Sequence, residues 1–247
     1  MNEPASPKPT GKPICAYCGE RAGTTGDHVI PKCLFGGKGK LPPFMVVVPA
    51  CSTCNHRKKS LDDTYLRDML VTDIHVADQP IVQELLEGKV RRAIDAGQSP
   101  IAHAAKSKGR LSPMHTKGGI YLGHYPSVPL DGPRVVRILS NIVRGLYYYI
   151  HHGERIPVDY RFEVQRLDPL QPAAPREIFA SMNTKNVYSL GDGSVFCCAY
   201  IFAEEDAGIT YWLLQFYNRI FCTVATEPPE PSGRDEPVTQ AVREHKQ

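Results

Sequence analysis

Two Cys-x2-Cys pairs, Cys15/Cys18 and Cys51/Cys54, constrain the N-terminal part of this chain more than any other feature. The stretch 14–60 around them is short, rich in Gly, Pro and Lys, and has one apolar run, Phe44–Pro49. A segment of that kind buries too little apolar surface to offset the entropy of ordering it, so it needs a staple. A reducing compartment disfavours disulfides. Two pairs separated by 32 residues suit four thiolates closing tetrahedrally on one zinc ion. Each pair sits in a turn where backbone amides can face the thiolates. Four thiolates leave no open coordination position, so the expected role of the zinc is structural. Of the other cysteines, Cys197, Cys198 and Cys222 lie in apolar, strand-like runs and read as core residues. Cys33 stands alone and reads as a packing residue, with an extra metal ligand as the alternative.

Between the two pairs lie Asp27-His28-Val29-Ile30-Pro31 and Gly36-Gly37, and Asn55, Lys58 and Lys59 follow the second pair. This constellation, C-x2-C, D-H-x2-P, G-G and P-x-C-x2-C-N-x2-K, resembles the HNH endonuclease family, which has a ββα-metal fold, in a subtype stapled by four cysteines. The resemblance covers Cys15–Lys59, under a fifth of the chain. It implies that Asp27 and Asn55 hold a catalytic divalent ion, Mg2+ or Mn2+, and that His28 is the general base.

The residue chemistry agrees. Phosphodiester hydrolysis needs a nucleophilic water, a base to deprotonate it and a cation at the leaving oxygen. The ordinary pKa of histidine lies near neutrality, and Asp27 and Asn55 offer hard oxygen donors. Adjacent strand residues point to opposite faces, so Asp27 and His28 serve one site only if the strand bulges or twists. Asn55 and Lys59 are one helical turn apart and share a face. Lys58 or Lys59 is expected to hold phosphate. The family pattern places an asparagine where this chain has Val46, which removes a support for the base. His56, beside Asn55, reads as an exposed residue or as a substitute ligand of the ion.

Charge patterning agrees with an anionic partner. The net charge is only +3, but residues 1–110 hold 16 Lys+Arg against 11 Asp+Glu, a net of +5, and residues 111–247 hold 13 against 15, a net of −2. From His28 to Ser60 there are six cations and no acid. Such a block beside a metal motif faces phosphate or is simply solvated. DNA is the expected partner. No apolar run is long enough to span a membrane, and residues 1–13 lack the apolar stretch of a signal peptide, so the expected location is the cytoplasm.

The expected fold class is α+β: an N-terminal zinc-bound ββα-metal module, a helical middle, and a C-terminal helix followed by an antiparallel meander. The expected divisions are a disordered arm (1–13), the zinc module (14–75), a helical or irregular linker (76–130), a helix-plus-sheet domain (131–226) that could dock a protein partner, and a disordered tail (227–247). Ser60-Leu61-Asp62-Asp63 reads as a capping box for a helix through Val71 with Tyr65, Leu66, Met69 and Leu70 inward. Residues 79–96 read as a second amphipathic helix with Ile81, Leu85, Val90 and Ile94 on one face. A third runs from Pro133 to His152, with Arg137, Asn141, Arg144 and Tyr148 on the face away from its apolar stripe. That face tracks a nucleic-acid backbone or is solvated. Strands are expected at Val158–Leu167, Val195–Ala203, Ile209–Phe216 and Arg219–Thr226.

The function expected from this reading is a metal-dependent DNA endonuclease or nickase, in restriction or phage defence by analogy. The alternatives are a catalytically inactive zinc-stapled module that binds nucleic acid or protein, and an RNA-directed nuclease.

Overall fold

The structure is a computed structural model that describes residues 13–37, 41–116, 118–167 and 186–229, without the side chains of residues 57 and 58. The expected arm and tail therefore lie outside the described residues, except for Pro13 and residues 227–229.

The described chain is a mixed α+β fold. It begins with a short antiparallel hairpin, β1 (Thr25–His28) on β2 (Val47–Ala50), with Asp27 opposite Val48 and His28 opposite Val47. Helix α1 (Arg57–Val71) follows. Tyr65, Leu66 and Leu70 are buried, as the periodicity predicts. The helix starts three residues before Ser60, which is therefore not its cap. The turn through Cys51–Cys54 runs directly into it, and His56 occupies the capping position without a side-chain bond.

Helix α2 (Pro80–Leu85) passes through a π turn (Leu86–Val90) into α3 (Arg91–Asp95). The five-residue step from Leu85 to Val90 does not fit one face of a regular α-helix. The extra residue in the π turn lets both be buried. Ile94, in the last turn, is exposed. The ambiguous region 98–130 holds helix α4 (Pro100–Lys108) and a hairpin of β3 (Arg110–His115) and β4 (Tyr121–Ser127).

Helix α5 (Gly132–Ile150) is capped by Asp131, whose carboxylate accepts from the Arg134 amide. It packs on a five-stranded antiparallel sheet with order β5-β9-β8-β7-β6. The strands are β5 (Arg161–Arg166), β6 (Val187–Ser189), β7 (Phe196–Phe202), β8 (Thr210–Phe216) and β9 (Ile220–Glu227). Strands β7 to β9 are the expected meander. β6 is three residues long, too short to show a period.

Buried side chains from Cys15 to Val224 form one hydrophobic cluster. Two close approaches tie its ends together. An added Cβ at Gly145 of α5 would sit 2.6 Å from Val29 Cγ2, so only glycine lets α5 lie this near the end of β1. Tyr217, in the β8–β9 turn, takes a positive φ of 47°. That conformation is unfavourable for a non-glycine residue. It aims the buried phenol at the Leu34 carbonyl, to which it donates at 2.8 Å. Among the described residues no helix is long and apolar enough to cross a membrane.

Candidate functional site

Four sulfurs converge at the base of the β1–β2 hairpin. The ligand atoms of Cys15, Cys18, Cys51 and Cys54 all lie within 4.8 Å of one another. Local backbone geometry builds each half. The Gly19 amide bonds the Cys15 carbonyl at 3.0 Å, with Gly19 at φ +67°, a value that suits glycine. The Asn55 amide bonds the Cys51 carbonyl at 2.9 Å, and the Ala16 amide bonds the Pro49 carbonyl at 2.8 Å, joining the two turns.

A zinc ion with Zn–S bonds of about 2.3 Å sets its sulfurs about 3.8 Å apart in a tetrahedron. The Cys18 and Cys51 sulfurs are 3.9 Å apart. The cluster therefore fits a tetrahedral ion such as zinc. Burial opposes the thiolate at Cys51, but hydrogen bonds from the Cys54 amide and the neighbouring thiols hold its pKa down to about 6. Cys33 lies apart, with its thiol on the Asp63 carbonyl at 3.3 Å and its pKa pushed up to about 12 by burial.

The Asp27-His28 pair obeys the strand alternation without a bulge. Asp27 turns inward and is 5% exposed. One carboxylate oxygen accepts from the Tyr17 hydroxyl, and the other is 3.2 Å from Lys59 Nζ. Lys59 also contacts both oxygens of Asp63, at 3.0 and 3.2 Å. Burial works against the Lys59 charge, yet Asp63 and Asp27 hold its ammonium above the ordinary value. Burial raises the Asp63 carboxyl more than Lys59 lowers it. The expected phosphate ligand Lys59 is thus held between two carboxylates. The side chain of Lys58 lies outside the described residues.

His28 is half-buried on the other face of β1. Its pKa lies below the ordinary histidine value, first through burial and then through Lys32 and Lys59, against the pull of Asp27. The ring is therefore neutral near pH 7 and can accept a proton. Asn55, at the entrance to α1, donates through Nδ2 to Thr25 Oγ1 at 3.0 Å and to the Gly26 carbonyl at 3.4 Å. The structure thus ties Asn55 to the strand that carries Asp27 and His28. Val46 is buried, and its backbone carbonyl accepts from the amide of Val29, just past β1, at 3.1 Å. His56 is exposed.

Tyr17 and Asp63 are part of this network, Tyr17 unforeseen and Asp63 expected only as a helix-capping residue. Asp63 had a signal, since it stands four residues after Lys59 on one helix. Tyr17 had none, because only the fold of the first cysteine turn brings it to Asp27. A cavity of about 20 Å³, room for about one water, lies among Tyr17, Lys59, Asp62 and Asp63.

Two arginines of the Arg137–Tyr148 face of α5, which is partly exposed, have partners within the protein. Arg137 bonds both Asp62 oxygens. Arg144 donates to the carbonyls of Ile156 and Pro157 and lies over the Phe162 ring at 4.5 Å. The helical period places these arginines together, but the packing of α1 and of the chain after α5 supplies their partners. His151 stacks on Tyr147 with ring centroids 4.1 Å apart, so it acts as a packing group at the helix end.

Comparison with protein-family models, with curated proteins and with solved structures finds no match to this chain.

Proposed function

We propose that this chain is a metal-dependent HNH-type DNA endonuclease or nickase, stapled by zinc at Cys15, Cys18, Cys51 and Cys54. One observation carries the reading: the Cys51–Cys54 turn of the four-sulfur cluster leads straight into Asn55, whose side chain bonds Thr25 and Gly26 of the strand that carries Asp27 and His28. On this reading His28 accepts the proton of the attacking water, which requires the unbulged β1 to twist on ion binding so that Asp27 and His28 face one centre. A divalent ion, when bound, stabilises charge on the leaving oxygen.

Asp27 and Asn55 would hold that ion, and their hard oxygens suit Mg2+ or Mn2+. Asp27 is already paired with Lys59. The ion therefore enters in exchange for the Lys59 ammonium, which keeps Asp63 as its partner. A setting in restriction or phage defence follows from the family resemblance alone.

A specific observation favours a second reading, a zinc-stapled module that binds nucleic acid without cutting it. Both Asp27 oxygens are engaged by protein groups, and Val46 offers His28 no side-chain bond. One assay separates the two. Supercoiled plasmid is incubated with zinc-loaded protein, with and without Mg2+ or Mn2+, using wild type and His28→Ala. Nicking by wild type alone, and only with the divalent ion, is expected. Intact plasmid that wild type nonetheless retards in a gel selects the binding module.

A further inference from the structure

A broad cleft of about 860 Å³ opens where α1, the π-turned helix, the start of α4 and the start of α5 meet. Its lining carries Arg67, Lys89, Arg92, His103 and Arg134, and no carboxylate among the described residues. Among the described residues, all but Arg92 have partners on the protein side, His103 through the Gly97 carbonyl at 2.7 Å. Arg67 pairs with the buried Asp68, and Arg134 pairs with Asp62 at 2.8 Å. Lys89 donates to the Phe35 carbonyl at 2.7 Å. Arg92 is exposed, and its guanidinium makes no hydrogen bond or ion pair among the described residues. Burial, and then the like charges of Arg67 and Arg92, push the Lys89 ammonium below its ordinary value. An anion in the cleft relieves that repulsion.

Ser60 and Thr64 line the cleft, each one residue after Lys59 and Asp63. One residue is about 100° around a helix. The cleft therefore lies on the face of α1 next to the one that carries the Asp27–Lys59–Asp63 network. With Lys59 enclosed by carboxylates, the exposed Arg92 of the cleft is better placed than Lys59 to meet phosphate.

We propose that this cleft binds the phosphodiester backbone of a nucleic-acid strand, with Arg92 as its principal unpaired contact. The site is a cationic cleft that meets phosphate rather than base edges, so binding is tolerant of sequence and dependent on salt. The proposal deepens the nuclease reading by naming where the substrate is gripped.

The test is fluorescence anisotropy of a labelled 20-nucleotide strand and the matching duplex across a salt series. Zinc-loaded protein is used without added divalent ion. Arg92→Glu is expected to weaken binding on the order of tenfold. Arg92→Ala should reduce the slope of log K against log salt by about 0.7–0.9, the value for one phosphate contact, and Arg92→Lys should keep it. Matched thermal midpoints check that the exposed substitution leaves the fold intact. Failure of the wild type to bind either oligonucleotide, or an unchanged affinity and slope in Arg92→Glu, overturns the proposal. Plasmid cleavage run on the same proteins separates the two readings. Arg92-dependent binding without cleavage leaves the cleft standing and removes the nuclease. Cleavage with Arg92-independent binding does the reverse.

Discussion

Lys59→Met tests the network around Asp27. Among the described residues the Lys59 ammonium is the cation paired with Asp27, and it also contacts Asp63. Its side chain is 13% exposed, and that of Asp27 is 7% exposed. Removing one partner of a buried pair costs about 3–5 kcal/mol, because the remaining charge is left uncompensated. The residual exposure and the Tyr17 bond to Asp27 lower the expectation to about 2–3 kcal/mol. For a chain of this size that is a fall in Tm of about 4–12 °C.

Two features separate this cost from a loss of packing. Lys59 has its folded pKa raised, so in wild type its contribution is fully present below the ordinary lysine value and is lost only as pH rises through the folded one. The difference between variant and wild type should therefore be flat from pH 7 to 9. It should shrink toward pH 5, because burial already holds Asp63 above the ordinary carboxylate value and Lys59 no longer lowers it. In addition, if Asp27 accepts a divalent ion in exchange for the ammonium, Mn2+ should stabilise Lys59→Met more than wild type. The gain approaches about 2.7 kcal/mol at one hundred times Kd. Thermal melts across pH and Mn2+ concentration read both effects. An unchanged Tm in Lys59→Met, or equal Mn2+ stabilisation of both proteins, refutes the reasoning.

Further outcomes follow from other parts of the structure. Purified protein should carry one zinc per chain by elemental analysis, and Cys51→Ser should lose it together with cooperative melting, as the hairpin has little core of its own. His28→Ala should reduce cleavage by about 10²–10⁴-fold with zinc content unchanged. The wild-type rate should fall as pH drops through a value below the ordinary histidine pKa, because burial and Lys32 depress that of His28; an acid limb above pH 7 would contradict this assignment of the base. Gly145→Ala gains about 1 kcal/mol of helix propensity but sets a methyl 2.6 Å from Val29. Overpacking of this kind costs about 1–3 kcal/mol, so Tm should fall, and Val29→Ala should relieve it. A more stable Gly145→Ala would show that α5 and β1 are not held this close.

The sequence by itself determined the elements whose cause is local. The two Cys-x2-Cys turns announce a four-sulfur cluster because each pair is preset by its own backbone bonds. The period of α5 and the alternation of β7 to β9 are legible because each repeats one buried face over many residues. The strand rule likewise puts Asp27 and His28 on opposite faces. Tertiary structure decided everything that depends on a partner distant in the chain. Tyr17 reaches Asp27 only through the fold of the first cysteine turn. Arg137 and Arg144 look like a solvated stripe until α1 brings Asp62 and the chain after α5 brings its carbonyls. Lys59 reads as a phosphate ligand until Asp63 and Asp27 enclose it. Lys89 and Arg92 are three residues apart on one helix, but only packing brings Arg67 of α1 into the same cleft. The physical reason is the range of the forces involved. Propensity and capping act within a turn or two of chain, whereas a charge takes its role from whatever the core, once packed, sets within a few ångströms of it.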